Sequence, residues 1–280
     1  MASYNHERFI EKSIDSILNQ TYRNIELIIV DDNSTDNSFL IIKEKAESDC
    51  RIRIIKNDVN MGISETMNRG IDLAAGEYIM FSSSDDTLEP NLVYELVNTI
   101  KHSISKKVVV WSDGAVIDSG DNLLSSSFLA FKGLDGKKKE GNLFKELLKG
   151  NCIFGQTSIR PTEIIKRIKF DTTLKYLNDY AVELYSSLEC TYIFLPKVLA
   201  NYRIHGKNST LNDRVGWRVD FFNIDMLIIS KFWQKLGLLD IIVILFKAVI
   251  HAIMLGNTQS ILHNLIKIFE TVIRGNRTQV

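Results

Sequence analysis

The stretch of sequence that decides the fold is ELIIVDDNS, residues 26–34. Its apolar run ends abruptly at Asp31-Asp32, and this pattern predicts a buried strand that runs into a loop. Apolar residues at helical spacing predict a helix within residues 5–20, with Asn5 as an available N-cap, and a second helix from the loop to about residue 47. The decisive stretch is therefore a strand between two helices.

The same alternation continues along the chain. Further strands are predicted at residues 51–56, 77–81, 107–111 and 192–195, and further helices at residues 64–75, from Pro90 and at residues 178–189. Strands that alternate with helices predict βαβ units, a mostly parallel sheet and an α/β fold. Residues 113–150 have weak periodicity, which predicts loops with one helix near residues 143–148.

The composition is that of a globular protein. Of 280 residues, 45% are hydrophobic and only 3 are Pro, which excludes collagen-like and disordered chains. Lys and Arg (34) balance Asp and Glu (34), and this argues against a general nucleic-acid binder. Cys50, Cys152 and Cys190 form no CxxC pair, so neither a disulfide framework nor a thiolate metal site is expected. The N-terminal residues lack the apolar core of a signal peptide, and a cytoplasmic location is expected.

Two acidic loops follow predicted strands. Asp31-Asp32 comes directly after one strand, and Asp85-Asp86 comes shortly after another. Because ligands bind beyond the carboxyl ends of the strands in an open parallel sheet, both loops are expected to face one crevice. Oxygen ligands there suit Mg²⁺ or Mn²⁺ holding a diphosphate. The alternative is that these aspartates only cap the helices that follow them.

Two further candidates lie later in the chain. Asp179 stands at the start of a predicted helix, where a carboxylate has an ordinary structural role. His205 follows the predicted strand at residues 192–195, and a single histidine is more often structural than catalytic. No HxxxH or CxxH spacing is present, so a zinc site is not predicted.

These residues belong to an ordered set of motifs that resembles the family-2, GT-A-fold glycosyltransferases over about residues 2–210. The motifs, in chain order, are Ser3-Tyr4-Asn5, residues 16–22 (SILNQTY), residues 26–36 (ELIIVDDNSTD), Asn60-Met61-Gly62, Asn68-Arg69-Gly70, residues 76–79 (GEYI) leading to Ser84-Asp85-Asp86, Asn178-Asp179-Tyr180 and residues 202–205 (YRIH). Each motif is weak alone, whereas their order and spacing together are specific.

The resemblance implies a nucleotide-diphospho-sugar transferase fold with a Rossmann-like mixed sheet. It also implies transfer of a sugar, with inversion, from a UDP- or GDP-sugar type of donor to an acceptor hydroxyl, with Mn²⁺ or Mg²⁺ as cofactor. The implied setting is bacterial polysaccharide, O-antigen or capsule biosynthesis on a saccharide or lipid-linked acceptor. One carboxylate that takes the acceptor proton on the face opposite the leaving group gives inversion.

The resemblance also assigns roles to individual residues. Asp32 corresponds to the carboxylate that accepts from the base, with Tyr4 near the base. Asp85 corresponds to the metal-ligating acid and Asp179 to the general base, while His205 is implied as an additional contact to the metal or the diphosphate. The remaining nucleotide-sugar contacts implied are Asn60, Gly62, Asn68, Ser83 and Ser84.

Three departures from the family pattern matter. The apolar first strand is predicted to be missing, because only Met1-Ala2 precedes the Ser-Tyr-Asn motif. Ser83 replaces the first acid of the DxD motif, and Asn178 replaces a Glu. A truncated, catalytically inactive nucleotide-sugar-binding or scaffold relative is therefore the alternative. A nucleotidyltransferase is a weaker one, since residues 3–8 do not form a Gly- and Arg-rich phosphate loop.

We predict a catalytic domain over residues 1–215 and a helical subdomain over residues 216–280. Residues 236–256 are strongly apolar, but Asp240, Lys247 and His251 interrupt the roughly 20-residue apolar run that a membrane span needs. This favours an amphipathic hairpin that either packs on the catalytic domain or lies at a membrane surface as a peripheral anchor. Basic residues available to anionic lipid are Lys231, Lys235, Lys247, Lys267 and Arg274.

Overall fold

The computed structural model describes residues 1–206, 208 and 213–255. The chain divides into two compact units, one formed by Met1–Thr172 with Asp179–Gly206 and the other by Thr173–Asn178 with Lys207–Val280. The predicted division into residues 1–215 and 216–280 stays a prediction.

The first unit begins with a parallel sheet of three strands. These are β1 (Ala2–Ser3), β2 (Leu27–Asp31) and β3 (Ile52–Lys56), in the order β1-β2-β3. All residues of β2 are buried, as its apolar sequence predicts. Two helices connect the strands, α1 (Ile10–Leu18) and α2 (Ser38–Ser48), and α1 buries Ile10, Ile14 and Ile17 on one face. Spacing of three and four residues places these side chains together.

A second sheet follows in the same unit. Its strands are β4 (Tyr78–Met80), β5 (Thr87–Leu88), β6 (Val108–Ile117), β7 (Leu123–Ser125), β8 (Ile159–Pro161) and β9 (Thr191–Arg203), in the order β4-β8-β6-β9-β5 with β7 beside β6. In the described part of the chain, β6 and β9 are parallel and the other pairs of this sheet are antiparallel. The prediction of a mostly parallel sheet is thus right for the first sheet and wrong for the second. Hydrophobic periodicity identifies a strand but does not give its direction.

The helices of this unit pack on the two sheets. They are α3 (Ile63–Leu73), α4 (Leu92–His102), α5 (Phe128–Phe131), α6 (Phe144–Leu147), α7 (Thr162–Ile168) and α8 (Asn178–Ser186). Ile71, Ile165, Phe170 and Val182 form a buried cluster that joins α3, α7 and α8. This cluster fixes the start of α8, which carries Asp179, relative to the sheet.

The region around residues 113–150 is more ordered than predicted. The helix expected near residues 143–148 is present as α6, but β6 continues to Ile117 and is followed by β7 and α5. Asp113-Gly114 interrupts the apolar run of β6 in the sequence. The ladder accommodates this interruption with shifts of register around Asp113, where β6 pairs with β9.

Strand β1 joins the two sheets. Ala2 pairs with Val30 of β2 and forms a parallel bridge to Ser83, which follows β4, while Ser3 pairs with Asp31. Strand β1 is thus bordered by β2 on one side and by Ser83 on the other. The prediction that the first strand is missing is wrong for Ala2–Ser3, because these two residues form β1 between β2 and the segment after β4.

The second unit contains two long helices, α9 (Arg214–Phe232) and α10 (Leu238–Met254), separated by a 3₁₀ turn at Trp233–Lys235. Phe222 of α9 packs against Ala248 and Ala252 of α10. None of the helices in the described ranges has both the length and the apolar content needed to cross a membrane. The predictions for Lys267 and Arg274 lie outside the described residues.

Candidate active site

The candidate site lies where the strand order changes direction. Strands β2 and β3 lie on one side of β1 and the segment after β4 lies on the other, and in such sheets the crevice for a ligand opens beyond the carboxyl ends of the strands. Asp31 and Ser83 flank β1 on its two sides, which puts their backbones about 10 Å apart at ordinary strand spacing. The two acidic loops therefore begin at the same edge, as the sequence predicted.

The two aspartates after β2 have different partners. Asp31 is fully buried and accepts hydrogen bonds from the backbone N–H (2.9 Å) and the hydroxyl (2.6 Å) of Ser34. It closes the turn, so the structural alternative describes Asp31 well. Asp32 instead accepts from the Asn57 side chain (2.7 Å) and from the backbone N–H groups of Met61 (2.8 Å) and Gly62 (2.9 Å). Asp32 thus holds the loop that precedes α3.

The other predicted nucleoside contacts have separate environments. Asn60 is exposed on the loop that Asp32 holds, and Gly62 ends that loop with a φ of +82°, a conformation that favours glycine. Tyr4 is 43% exposed directly after β1. Asn68 is engaged elsewhere, because its amide donates to the Phe170 carbonyl (2.9 Å) and accepts from the Phe170 N–H (2.8 Å). The nucleotide role of Asn68 stays a prediction.

Three side chains form a possible metal site after β1, β4 and β9. The ligand atoms of His6, Asp85 and His205 all lie within 4.8 Å of one another, and the Asp85 carboxylate is 3.0 Å from His205 Nε2. His6 Nδ1 is also 2.7 Å from the hydroxyl of Ser84. Two imidazoles and one carboxylate are suitable ligands for a divalent first-row metal. The sequence analysis missed His6, although its position directly after Ser3-Tyr4-Asn5 was a usable signal.

Arg203 supports the loop that carries Asp85. Its buried guanidinium donates to the Asp85 carbonyl (2.8 Å) and forms an ion pair with Asp121, and its backbone N–H donates to the Asp86 carboxylate (2.8 Å). Burial and the neighbouring negative charge of Asp85 raise the pKa of Asp86 well above its usual range. Asp86 is therefore a structural member of the loop, and Asp85 is the member available for a cation.

One segment contacts both the Asp85 loop and Asp179. The Gln156 amide accepts from the Ser83 N–H (3.0 Å) and donates to the Ser83 hydroxyl (2.6 Å), whereas the Asn151 amide donates to the Asp179 carboxylate at 3.3 Å. Asn151 and Gln156 are five residues apart, so even a fully extended chain separates them by no more than about 18 Å. This short segment limits the distance between the predicted metal loop and the predicted base.

Asp179 lies in the first turn of α8. The residue is exposed on one side, and its carboxylate is surrounded by protein on the others. The loss of bulk solvent around its carboxylate raises the pKa of Asp179 to about 6; the Tyr180 N–H opposes this shift, and the charge of Glu183 adds to it. Glu183 itself forms a buried ion pair with Arg160 of β8 and accepts from the Tyr192 hydroxyl (2.9 Å). A carboxylate with this pKa exchanges protons near neutral pH.

A cavity in the first unit is a different feature. It has a volume of about 660 Å³ and is lined by apolar side chains of β2, α3 and β4, including Ile28, Ile71 and Ile79. Asp32, Asp85 and Asp179 are not among its lining residues. The cavity therefore belongs to the core and not to the candidate active site.

The strand order and the acidic loops define an α/β protein of the GT-A type. A family model described as glycosyl transferase family 2 matches residues 1–164, and the chain belongs to that family. A similar solved structure is that of S. aureus TarS residues 1–349 in complex with UDP-GlcNAc, with a TM-score of 0.68 and 18% identity over 97% of this chain and 80% of that TarS 1–349 chain. This likeness agrees with the fold predicted from the sequence.

Similar curated proteins come from several bacteria. An uncharacterized glycosyltransferase of Haemophilus influenzae is 26% identical over 213 residues, which are 75% of this chain and 66% of the relative. The minor teichoic acid biosynthesis protein GgaB of Bacillus subtilis is 28% identical over 250 residues, 86% of this chain and 26% of GgaB. The chain thus spans less than two thirds of the length of these relatives.

Proposed function

We propose that this protein transfers a sugar from a nucleotide-diphosphate sugar to an acceptor hydroxyl with inversion. The observation that carries the proposal is the meeting of His6, Asp85 and His205 at the carboxyl edge of β1 and β4. Membership of glycosyl transferase family 2 supports the reaction class. The TarS structures with UDP and UDP-GlcNAc support a nucleotide-sugar donor of the uridine type.

The donor would lie across the edge of the sheet. In this proposal Tyr4 and the loop held by Asp32, with Asn60 and Gly62, bind the nucleoside, while Ser83 and Ser84 line the diphosphate side. His6, Asp85 and His205 would hold Mn²⁺ or Mg²⁺, and a cation there would offset the charge that develops on the leaving diphosphate. Two imidazole ligands favour Mn²⁺ over Mg²⁺, which prefers oxygen ligands.

Asp179 would act as the general base. Its ionised carboxylate takes the proton from the acceptor hydroxyl, whose oxygen forms a bond to the anomeric carbon while the bond from that carbon to the diphosphate oxygen breaks. Attack on the face opposite the leaving group inverts the configuration, by the geometry that also governs inverting glycosidases. The nucleoside diphosphate leaves with the electron pair of the broken bond.

The acceptor and the place of action extend the same proposal. GgaB is named for teichoic acid biosynthesis, which supports a surface-polysaccharide acceptor, saccharide or lipid-linked, at the inner face of the membrane. Helix α10 exposes a set of large apolar side chains that could lie on a bilayer surface. They are Leu238, Leu239, Ile242, Val243, Phe246, Ile250, Ile253 and Met254. Liposome flotation of wild type and of Phe246→Glu tests this contact, which the charged variant should weaken.

Ser83 in the DxD position is the specific argument for an inactive relative. A binding and turnover experiment separates this alternative from an active enzyme. UDP and GDP are titrated calorimetrically with and without Mn²⁺, and nucleotide release is measured across a panel of nucleotide sugars. We expect Mn²⁺ to tighten nucleotide binding, Asp85→Ala to abolish the gain, and the exposed α2 variant Glu44→Ala to keep it. Metal-independent binding with no turnover on the whole panel would favour the inactive alternative.

A further inference from the structure

We propose that an aromatic and basic surface beside the candidate active site binds the acceptor, and that it recognises a sugar carrying a negatively charged group. This surface, the α5 platform, consists of Phe128, Phe131, Lys132, Phe154 and Tyr202. The inference rests on the proposed transferase function, and it adds a place and a chemical class for the acceptor.

The rings of the α5 platform form one connected cluster. Phe128 stacks on Phe154 with ring centroids 4.2 Å apart, and Tyr202 meets Phe128 edge-on at 5.3 Å. The Lys132 ammonium lies 5.7 Å from the centroids of Phe128 and Tyr202 and 5.9 Å from that of Phe131. Phe154 is buried and forms the floor, whereas Phe131 is 47% exposed.

Features of β6 hold the platform in place. A Cβ at Gly114 would lie 2.3 Å from Phe154 Cε1 and 2.9 Å from the Ala200 carbonyl oxygen, so only glycine leaves room for the Phe154 ring. The neighbouring Asp113 accepts from the Ser127 hydroxyl (2.6 Å) and the Leu129 N–H (3.1 Å), which fixes the start of α5. Two adjacent residues thus position both halves of the cluster.

The platform is connected to the catalytic residues through short stretches of chain. Phe154 lies in the segment that contacts Asp179 through Asn151 and Ser83 through Gln156. It is three residues from Asn151, so the two backbones are at most about 11 Å apart. Tyr202 precedes Arg203, which supports the Asp85 loop. An acceptor on the platform would therefore be close to the predicted base.

The chemistry of the platform fits a charged sugar. Aromatic faces carry negative potential and attract the C–H groups on the apolar face of a sugar ring as well as cations. The Lys132 ammonium makes no salt bridge within the described residues, although several other lysines do. Residues 132–149 contain six Lys against three acids, a local surplus of three in a chain with no net charge. Stacked rings with an unpaired ammonium would bind a sugar that bears a phosphate or a carboxylate.

Binding of small probes tests the proposal on the whole chain. The ring resonances of ¹³C-labelled Phe are followed by NMR during titration with glucose 6-phosphate, glucuronate, methyl glucoside and inorganic phosphate. We expect Lys132→Ala to weaken both charged sugars at least fivefold and to leave methyl glucoside unchanged. Phe131→Ala should weaken all three sugars. Stronger binding of glucose 6-phosphate or of glucuronate identifies which anion the site prefers.

Several results would overturn the proposal. One is that the affinities stay unchanged in both Lys132→Ala and Phe131→Ala. Another is that inorganic phosphate perturbs the ring resonances as strongly as glucose 6-phosphate, which would indicate an anion site without sugar recognition. Lys43→Ala, an exposed lysine of α2, is the matched control and should bind like wild type. UDP binding with Mn²⁺ is measured on wild type and on every variant. Its absence in wild type would contradict the transferase function, and its retention in a variant shows that the substitution affects the acceptor surface alone.

Discussion

At the scale of single residues, the protonation of Asp179 should control the rate. The protein that surrounds the Asp179 carboxylate raises its pKa to about 6, and a general base works only when it is ionised. We expect kcat/KM to be constant above about pH 7 and to fall about tenfold per pH unit well below pH 6. Asp179→Asn should reduce kcat by about 10²- to 10⁴-fold at pH 7.5.

The pH profile of kcat/KM from pH 4.5 to 8 provides the measurement. Asn151→Ala is the companion variant, because Asn151 donates to the Asp179 carboxylate and this bond stabilises the ionised form. Its loss should move the acid limb to higher pH. A wild-type profile that stays flat through pH 6, or an Asp179→Asn variant with full activity, would remove Asp179 from the base role.

His6 gives a second prediction at this scale. Replacing it with Ala removes one of three candidate ligand atoms that lie within 4.8 Å of one another. Mn²⁺ affinity in the presence of UDP should fall by at least about 10-fold, because loss of even an outer-shell partner of a ligand costs about 10- to 100-fold. Electron paramagnetic resonance of free Mn²⁺ measures this affinity directly. His102→Ala, an exposed histidine of α4, is the control and should keep wild-type affinity. Equal affinity in His6→Ala would exclude His6 as a ligand.

At the scale of elements, α8 depends on a buried ion pair. Glu183 pairs with Arg160 of β8 with both side chains 2% exposed, and it lies one turn after Asp179. Glu183→Gln would leave the arginine charge buried without a counter-ion and should lower the free energy of unfolding by about 3–5 kcal/mol. Urea denaturation followed by circular dichroism measures this loss.

A double variant separates charge from packing in the same pair. Arg160→Met combined with Glu183→Leu removes both charges and keeps apolar volume, so its stability should recover most of the loss. If the double variant is as unstable as Glu183→Gln, the effect comes from packing around α8 and not from an uncompensated charge.

Several elements could be predicted from sequence because local patterns determine them. The apolar run of β2 and its end at Asp31-Asp32 are local signals, as is the helical stripe of α1. Asp113-Gly114 breaks the apolar pattern of β6, and only pairing with β9 completes this strand. The end of β6 was therefore missed, and with it the strand β7 and the helix α5 that follow. Strand β8 was not predicted at all, and its antiparallel pairing with β4 was not predictable, since that pairing depends on contacts between distant parts of the chain.

The residues of the candidate site could likewise be predicted only where a local pattern or a family motif marks them. Asp32, Asp85 and Asp179 were found from their positions after strands or at a helix start and from the resemblance to the family. Gln156 and Arg203 contact Ser83 and Asp85 across 73 and 118 positions, and no local pattern marks such partners. The α5 platform was missed for the same reason.

At the scale of the whole molecule, the region matched by the family model should be insufficient for folding. Strand β9 lies between β6 and β5, so a fragment that ends at residue 190 would expose both of these strands. We expect residues 1–190 to show no cooperative thermal unfolding and no Mn²⁺-dependent UDP binding, measured by calorimetry beside the full chain. A folded, nucleotide-binding fragment would show that β9 is dispensable.

The distance along the chain between Asp85 and its partners has a consequence during protein synthesis. Arg203 contacts Asp86 from 117 positions away, and His205 contacts Asp85 from 120 positions away. Both partners leave the ribosome long after the aspartates, and contacts of such long range form late. In the proposed function, a nascent chain would therefore carry these loops for many seconds of translation before it could organise a cation between them, which delays any consumption of donor until His205 has been made.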